Sequence, residues 1–490
     1  MTDLRAAARA PLAQQLGARW LAAQRVLPLA EENGHVLVAA AAPPGELVTD
    51  ALMRALGRPV RWVQHPAAEI EAALLAAERD AAAADADGLL AADADDLRAL
   101  ASEGPVVNLV NVLLTDAAKA GASDVHLEQG SEGLRVRWRL DGVLRDVSLL
   151  ASAYSAAAVS RVKLIAGLDI AERRRPQDGR ARARIGDRDL DLRVSTLPTL
   201  HGESVAIRLL QHAGTARGLD ELGMPAEMRE RFARVVASQS GLVLVTGPTG
   251  SGKTTTLYAA LRALAQPGVK VVTVEDPVEM QLAGVTQSPV NPRAGYGFAN
   301  ALRSILRHDP DVVMVGEMRD AETADIAVQA SLTGHLVLST LHTTDAPGAV
   351  TRLLEMGIAP YLVSATVQGV VAQRLVRLLC DACAASYTPR ADEISAMPDD
   401  ARRADARFRR AVGCPACAQT GYRGRTGVYE LLVPTARVRE AIAEHARSDV
   451  LRGIAREDGW RPLSTDAWSE ARAGVTSIDE VLRVTAGDDA

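Results

Sequence analysis

The sequence predicts an α/β protein built on a parallel sheet covered on both faces, preceded by an α+β domain and a small N-terminal α/β module. Between residues 214 and 373, four short apolar runs (GLVLVT, VKVVTV, DVVMVG and HLVLST) alternate with helical stretches. Runs with no polar side read as strands buried on both faces. Between 105 and 211, apolar and polar residues instead alternate within short segments, the period of strands with one wet face. A chain of 490 residues exceeds what one core organises, so about two to four domains are expected.

Residues 1–80 read as a docking domain. VLPLA and HVLVAA flank Glu32, Asn33 and Gly34, a hairpin turn signal; a helix over 45–56, a short strand at 60–63 and a helix from Ala67 follow. Residues 81–103 are nearly all Ala, Asp and Leu and read as a linker. The domain at 104–212 opens with the apolar-periodic helix VVNLVNVLLTDAAKAGA. Its strands are DVHLE, LRVRWRL, VLRDV after a turn at Asp141 and Gly142, ARARI, LDLRVST and SVAIRLL. A basic run, Arg173, Arg174, Arg175, Arg180, Arg182 and Arg184, lies within it. The parallel-sheet domain is placed at 213–376, a tetracysteine subdomain at 377–430 and a charged helical region at 431–490.

Composition narrows the function. The N-terminus lacks the apolar core of a secretory signal, and no apolar run is long enough to span a bilayer. A net charge of −6 and an aromatic fraction of 3% oppose nucleic acid as a partner, since phosphate binding needs a basic surplus and single strands need stacking platforms.

The chemistry is concentrated in three places. Gly247, Pro248, Thr249, Gly250, Ser251, Gly252, Lys253 and Thr254 match G-x-x-x-x-G-K-[ST], between the strand GLVLVT and the helix TTLYAALRAL that starts near Thr255. In that context the loop predicts an ATPase: glycines turn N–H groups toward phosphates, the helix start is electropositive, Lys253 balances phosphate charge and Thr254 can ligate Mg2+. Such an enzyme also needs acids at neighbouring strand ends. Glu317 follows DVVMVG, while Glu275, Asp276 and Glu279 follow VKVVTV; singly, each also reads as a solvated loop acid. His335 and His342 bracket LVLSTL, where a histidine is either packed against the strand or a γ-phosphate sensor. Arg180, Arg193 and Arg208 are candidates for the cation delivered to the γ-phosphate. Finally, Cys380, Cys383, Cys414 and Cys417 form two C-x-x-C knuckles, the four-thiolate set of a closed structural zinc site; a redox pair would need only one knuckle.

Over about residues 105 to 430, the motifs ASDVHLE, RWRLDGVLRDV, AGLDIAERRRPQDGR, RVSTLPTLHGES, GPTGSGKTTTLYAAL, TVEDPVE, RHDPDVVMVGEMRDAETADIAVQASLTGHLVLSTLHTTDA and AQRLVR resemble those of bacterial type II secretion ATPases. These are the E-protein branch of the type II/IV secretion ATPase superfamily, close to the type IV pilus-assembly ATPases. The resemblance implies a homo-hexameric cytoplasmic motor with a PAS-like domain and a RecA-like P-loop ATPase domain. It implies Lys253 and Thr254 as the Walker A pair, Glu279 as the acid that activates water, and Glu317 as the Walker B acid acting through Mg2+. His335 and His342 match the His-box positions, and Arg193 and Arg208 match arginines that approach the phosphates when the lobes close. Its implied cofactors are ATP, Mg2+ and Zn2+. Its implied partners are the cytoplasmic domain of an inner-membrane secretion protein (L-type) and the polytopic platform protein (F-type), which hold it peripherally at the inner membrane. Thr254 replaces a common serine and Met318 a common isoleucine, both compatible with catalysis. Three other readings stay open at this stage: a pilus-assembly motor, a DNA-translocating motor, and a nucleotide-binding scaffold without turnover.

Overall fold

The computed structural model describes most of residues 4–74, then 104–211 except 151, 186 and 187, then 217–397 and 406–486. The linker expected at 81–103 lies outside the described residues. The chain divides into two compact units, 1–211 and 212–490. Among the described residues no helix is long and apolar enough to cross a membrane.

In the first unit, β1 (Val26–Glu32) and β2 (His35–Ala40) form an antiparallel hairpin, and β3 (Val60–Gln64) runs parallel to β2. Leu21, Val26, Leu27, Val36, Val38, Leu52 and Ile70 fill the core of this module. Residues 104–211 hold β4 (Asp124–Gly130), β5 (Gly133–Leu140), β6 (Val143–Leu150), β7 (Gln177–Ile185), β8 (Arg188–Thr199) and β9 (Gly202–Gln211). They make one antiparallel sheet in the order β6-β5-β4-β9-β8-β7. The helices Gly104–Lys119 and Ser152–Ile165 share its core, with Val110, Leu114, Ala158 and Val162 beside Leu134, Val136, Leu192 and Ile207. One cation is buried there. Lys163 Nζ donates to both carboxylate oxygens of Glu203, at 2.8 and 3.0 Å, and to the carbonyl of Glu172 at 2.7 Å, so its three N–H donors are all used.

The second unit is organised by a seven-stranded sheet in the order β12-β11-β13-β14-β10-β15-β18. Its strands are β10 (Gly241–Thr246), β11 (Val271–Glu275), β12 (Val285–Pro289), β13 (Val312–Val315), β14 (Leu336–Leu341), β15 (Val367–Leu379) and β18 (Tyr422–Leu432). The first six are parallel, and β18 alone is antiparallel, against β15. The alternation along β10 shows why residues 242–245 are all apolar: Leu242 and Leu244 enter one core while Val243 and Val245 enter the core on the opposite face. The pair β15 and β18 extends past the sheet, and the chain between them carries both cysteine knuckles and the small sheet of β16 (Ala385–Ser386) and β17 (Arg409–Arg410). A boundary at residue 376 therefore falls inside β15, because that strand is set by long-range pairing that no local pattern reveals. The helices Leu463–Arg472 and Ile478–Thr485 pack Leu463, Trp468 and Val481 against Val376 and Val428.

Candidate functional site

In a parallel sheet the strand ends that share an edge also share their loops, and binding sites form there. Residues 247–252 leave β10 at this edge and lead into the helix Lys253–Leu264. Gly247 and Gly252 have φ of 143° and 90°, which favour glycine. A Cβ at Gly247 would stand 2.4 Å from the Gln373 carbonyl, so backbone fills the space a side chain would need. Lys253 Nζ donates to the carbonyls of Gly247 and Pro248 at 2.8 and 3.0 Å. These partners are neutral, so the positive charge stays available to a phosphate. Burial pushes the Lys253 pKa down and the charge of Glu317 opposes that shift, which places the two groups within one another's field.

Other strands complete the edge. Thr246 Oγ1 accepts from the Thr343 backbone N–H at 2.8 Å and pairs with the Thr343 hydroxyl at 2.8 Å, tying the end of β10 to the loop after β14. That loop carries His342, whose Nε2 lies 3.7 Å from the Glu317 carboxylate; Arg319 reaches the same carboxylate at 2.7 Å. Thr340 Oγ1 donates to the Gly316 carbonyl at 2.7 Å, and the Met318 N–H to the Thr340 carbonyl at 3.1 Å, so the Glu317 loop is pinned to β14. Burial, then the charge of Lys253, pushes the His342 pKa below its ordinary value, more than Glu317 raises it. His342 is therefore a neutral imidazole at neutral pH.

The acids after β11 separate by burial. Glu275 is 3% exposed and its carboxylate accepts from the Thr273 hydroxyl at 2.5 Å, from Gln287 Nε2 at 3.1 Å and from the Tyr258 hydroxyl. Glu279 is exposed, and its backbone N–H donates to the Tyr258 hydroxyl at 3.2 Å. His335 stands elsewhere. It precedes β14 at the opposite end of the strand from His342, and its Nδ1 lies 3.0 Å from the Ala330 carbonyl and 3.2 Å from the Thr333 hydroxyl. A six-residue strand separates the two histidines by about 20 Å, so within this unit His335 is not brought to the phosphate loop. Arg193 and Arg208 belong to the first unit, where they are directly opposed on β8 and β9. Arg180 faces Arg193 from β7. Arg208 Nε bonds Asp124 at 2.9 Å.

Sequence reasoning does not single out Gln373, Tyr258, Thr246 or Thr343. Gln373 Nε2 holds the Ser251 carbonyl at 2.8 Å from a strand over a hundred residues away, and no local pattern marks such a contact. For Tyr258 a signal exists, since it stands one helical turn after Thr254 on the same helix face.

The residues present fit a nucleotide polyphosphate. Ser251 Oγ and Gln373 Oε1 are buried beside the loop with no protein partner, the turn at Gly247 has no room for a side chain, and a cation lies in the loop. Gly247 to Thr255 can hold ATP phosphates, and the Thr254 hydroxyl with the Glu317 carboxylate can hold Mg2+. The four cysteines fit zinc. Their Sγ atoms all lie within 4.8 Å of one another, with Cys380 to Cys414 and Cys383 to Cys417 at 3.9 Å and Cys414 to Cys417 at 3.7 Å. A tetrahedron of thiolates about 2.3 Å from zinc has edges of about 3.8 Å. Burial pushes the Cys417 thiol up, but the N–H groups of Cys414 and Gly421 aimed at its sulfur outweigh this and hold it at about 6.

Residues 99–483 match the family described as "Type II/IV secretion system protein", and residues 2–84 match the MshEN domain. The chain is 43% identical to the type II secretion system protein E of Xanthomonas campestris, over 97% of this chain and 85% of that one. It is 48% identical to the type II secretion system ATPase E of Vibrio cholerae over 81% of each chain. It is 44% identical to the type II secretion system protein HxcR of Pseudomonas aeruginosa over 95% of this chain and 98% of that one. Among solved structures, the pilus retraction motor PilT with bound ADP aligns at a TM-score of 0.52 and 25% identity, covering 76% of this chain and 96% of that one. The Legionella pneumophila ATPase DotB shares the fold at a TM-score of 0.56 and 23% identity, covering 76% of this chain and 94% of that one. The phosphate loop set among parallel strands, the long family match and these relatives agree: this chain is an ATPase that belongs to the type II/IV secretion system protein family.

Proposed function

We propose that this chain is the motor of a type II secretion system, hydrolysing ATP to drive pseudopilus assembly and protein export. The observation that carries this reading is the meeting, at one sheet edge, of the Lys253 loop with Glu317 and His342 in a chain whose curated relatives are type II secretion E proteins. In the hydrolytic step, water attacks the γ-phosphorus as the bond to the β-phosphate oxygen breaks. Glu279 takes the proton of that water, Lys253 balances charge on the β/γ oxygens, and neutral His342 offers a hydrogen bond without adding charge. Magnesium, held by Thr254 and Glu317, supplies positive charge at the phosphates when bound. Arg193 and Arg208 bring further charge as the PAS-like domain closes on the ATPase domain, a completion worth roughly 10³ to 10⁵ in rate for an arginine of this kind.

Closure repeated around a homo-hexamer converts hydrolysis into movement. The motor would work in the cytoplasm, held at the inner membrane by residues 1–80 docking on the cytoplasmic domain of an L-type secretion protein and acting on the F-type platform protein. Relatives in secretion, at 43–49% identity, favour this over pilus assembly, and the match to the retraction motor is weaker at 25%. The test is Lys253→Ala in the full chain. Steady-state phosphate release should fall at least a hundredfold with zinc content unchanged; retention of the parent rate would refute the assignment.

A further inference from the structure

The helix that follows the phosphate loop and the segment that carries Glu279 come from strands well separated in the sheet, since β10 and β11 have β14 and β13 between them. Three strand spacings amount to about 14 Å. A side chain of that helix ties the two together by hydrogen bonds. Tyr258, 2% exposed and one turn beyond Thr254, sends its hydroxyl proton to Glu275 and accepts the N–H of Glu279 at 3.2 Å. The buried Glu275 carboxylate is held from its other side by the Thr273 hydroxyl and by Gln287. Gln287 also grips the far end of the same segment, donating to the Met280 carbonyl at 2.9 Å and accepting the Leu282 N–H at 2.7 Å. Residues 279–282 are therefore fastened at three backbone groups, all referred to one buried carboxylate. Burial and then the bond to Glu275 raise the Tyr258 pKa, so the hydroxyl keeps the proton that this bond requires.

We propose that Tyr258 is a positioning residue, a strut on Glu275 that fixes the Glu279 segment relative to the phosphate-loop helix. It touches no reacting atom. Its contribution is to hold Glu279 within the tolerance that water activation demands, where an error near 1 Å can cost about a hundredfold. The proposal rests on the reading of Glu279 as the acid that activates water.

The experiment compares Tyr258→Phe, Gln287→Ala and Glu279→Gln in the full zinc-loaded chain, with steady-state phosphate release for kcat and KM and calorimetry for Mg-ATP affinity. Tyr258→Phe keeps the ring and removes only the hydroxyl. The expected result is a fall in kcat of about tenfold or more, with KM and Mg-ATP affinity within about twofold of the parent. Gln287→Ala, which frees the segment from its other end, should show the same split and carries the test if Tyr258→Phe does not fold. A purely structural role predicts lower thermal stability with kcat per binding site unchanged, and kcat within twofold of the parent for the folded variants would overturn the proposal. Glu279→Gln separates the two levels: loss of turnover there beside normal Tyr258→Phe rejects the strut alone. Normal turnover in Glu279→Gln rejects the reading of Glu279 and the strut with it.

Discussion

Asp466 sits on the helix Leu463–Arg472, 9% exposed, and accepts the Tyr429 N–H at 2.9 Å. Burial raises its pKa to about 7, against the lowering effect of that single bond, so the folded chain keeps the carboxyl protonated where the unfolded chain has it ionised. The unfolded state then binds fewer protons between about pH 4 and pH 7, and stability falls as pH rises through that window, by up to about 4 kcal/mol. Urea midpoints should drop between pH 5 and pH 7.5, and Asp466→Asn, which keeps an acceptor for Tyr429, should flatten the decline. This group was invisible in the sequence because nothing local reports burial. The same limit applies to Glu275, Asp276 and Glu279, three acids within five residues that no periodicity separates. The structure buries Glu275 and leaves Glu279 exposed. Lys253 and the four cysteines were legible, because a phosphate turn and a thiolate set are made by neighbours in the chain.

At the scale of elements, the strands that occupy the middle of the sheet could be read directly, since β10, β11, β13 and β14 are buried along their whole length and therefore mainly apolar. The edge strand β12, with the sequence VTQSP, carries no such mark. Nor does the pairing of β15 with β18, whose partners Val371 and Leu431 are sixty residues apart. Between those two strands, the small sheet of β16 and β17 has only two residues per strand, too little backbone pairing to order an excursion by itself. The metal is therefore expected to organise it, with binding free energy on the order of 10 kcal/mol. Cys414→Ser should reduce bound zinc, measured by elemental analysis, from about one ion per chain to a small fraction. The thermal midpoint should fall by several degrees.

For the whole molecule, the decisive property is that the cations expected to complete hydrolysis lie in one compact unit and the phosphate loop in the other. Directly opposed arginines repel, and Arg180, Arg193 and Arg208 stand in one row across three adjacent strands. Arg193→Ala should lower turnover on the order of a thousandfold. Calorimetry beside phosphate release separates this loss from unfolding. The second unit contains its own long-range connection. Strand β15 bears Gln373, which holds the Ser251 carbonyl, and it ends at Leu379, six residues and about 20 Å further along the same paired ribbon, where the next residue is Cys380. The thiolate knuckles and the nucleotide loop are thus moored to one rod, so a lengthwise pull on the knuckles is expected to reach the turn that would grip phosphate.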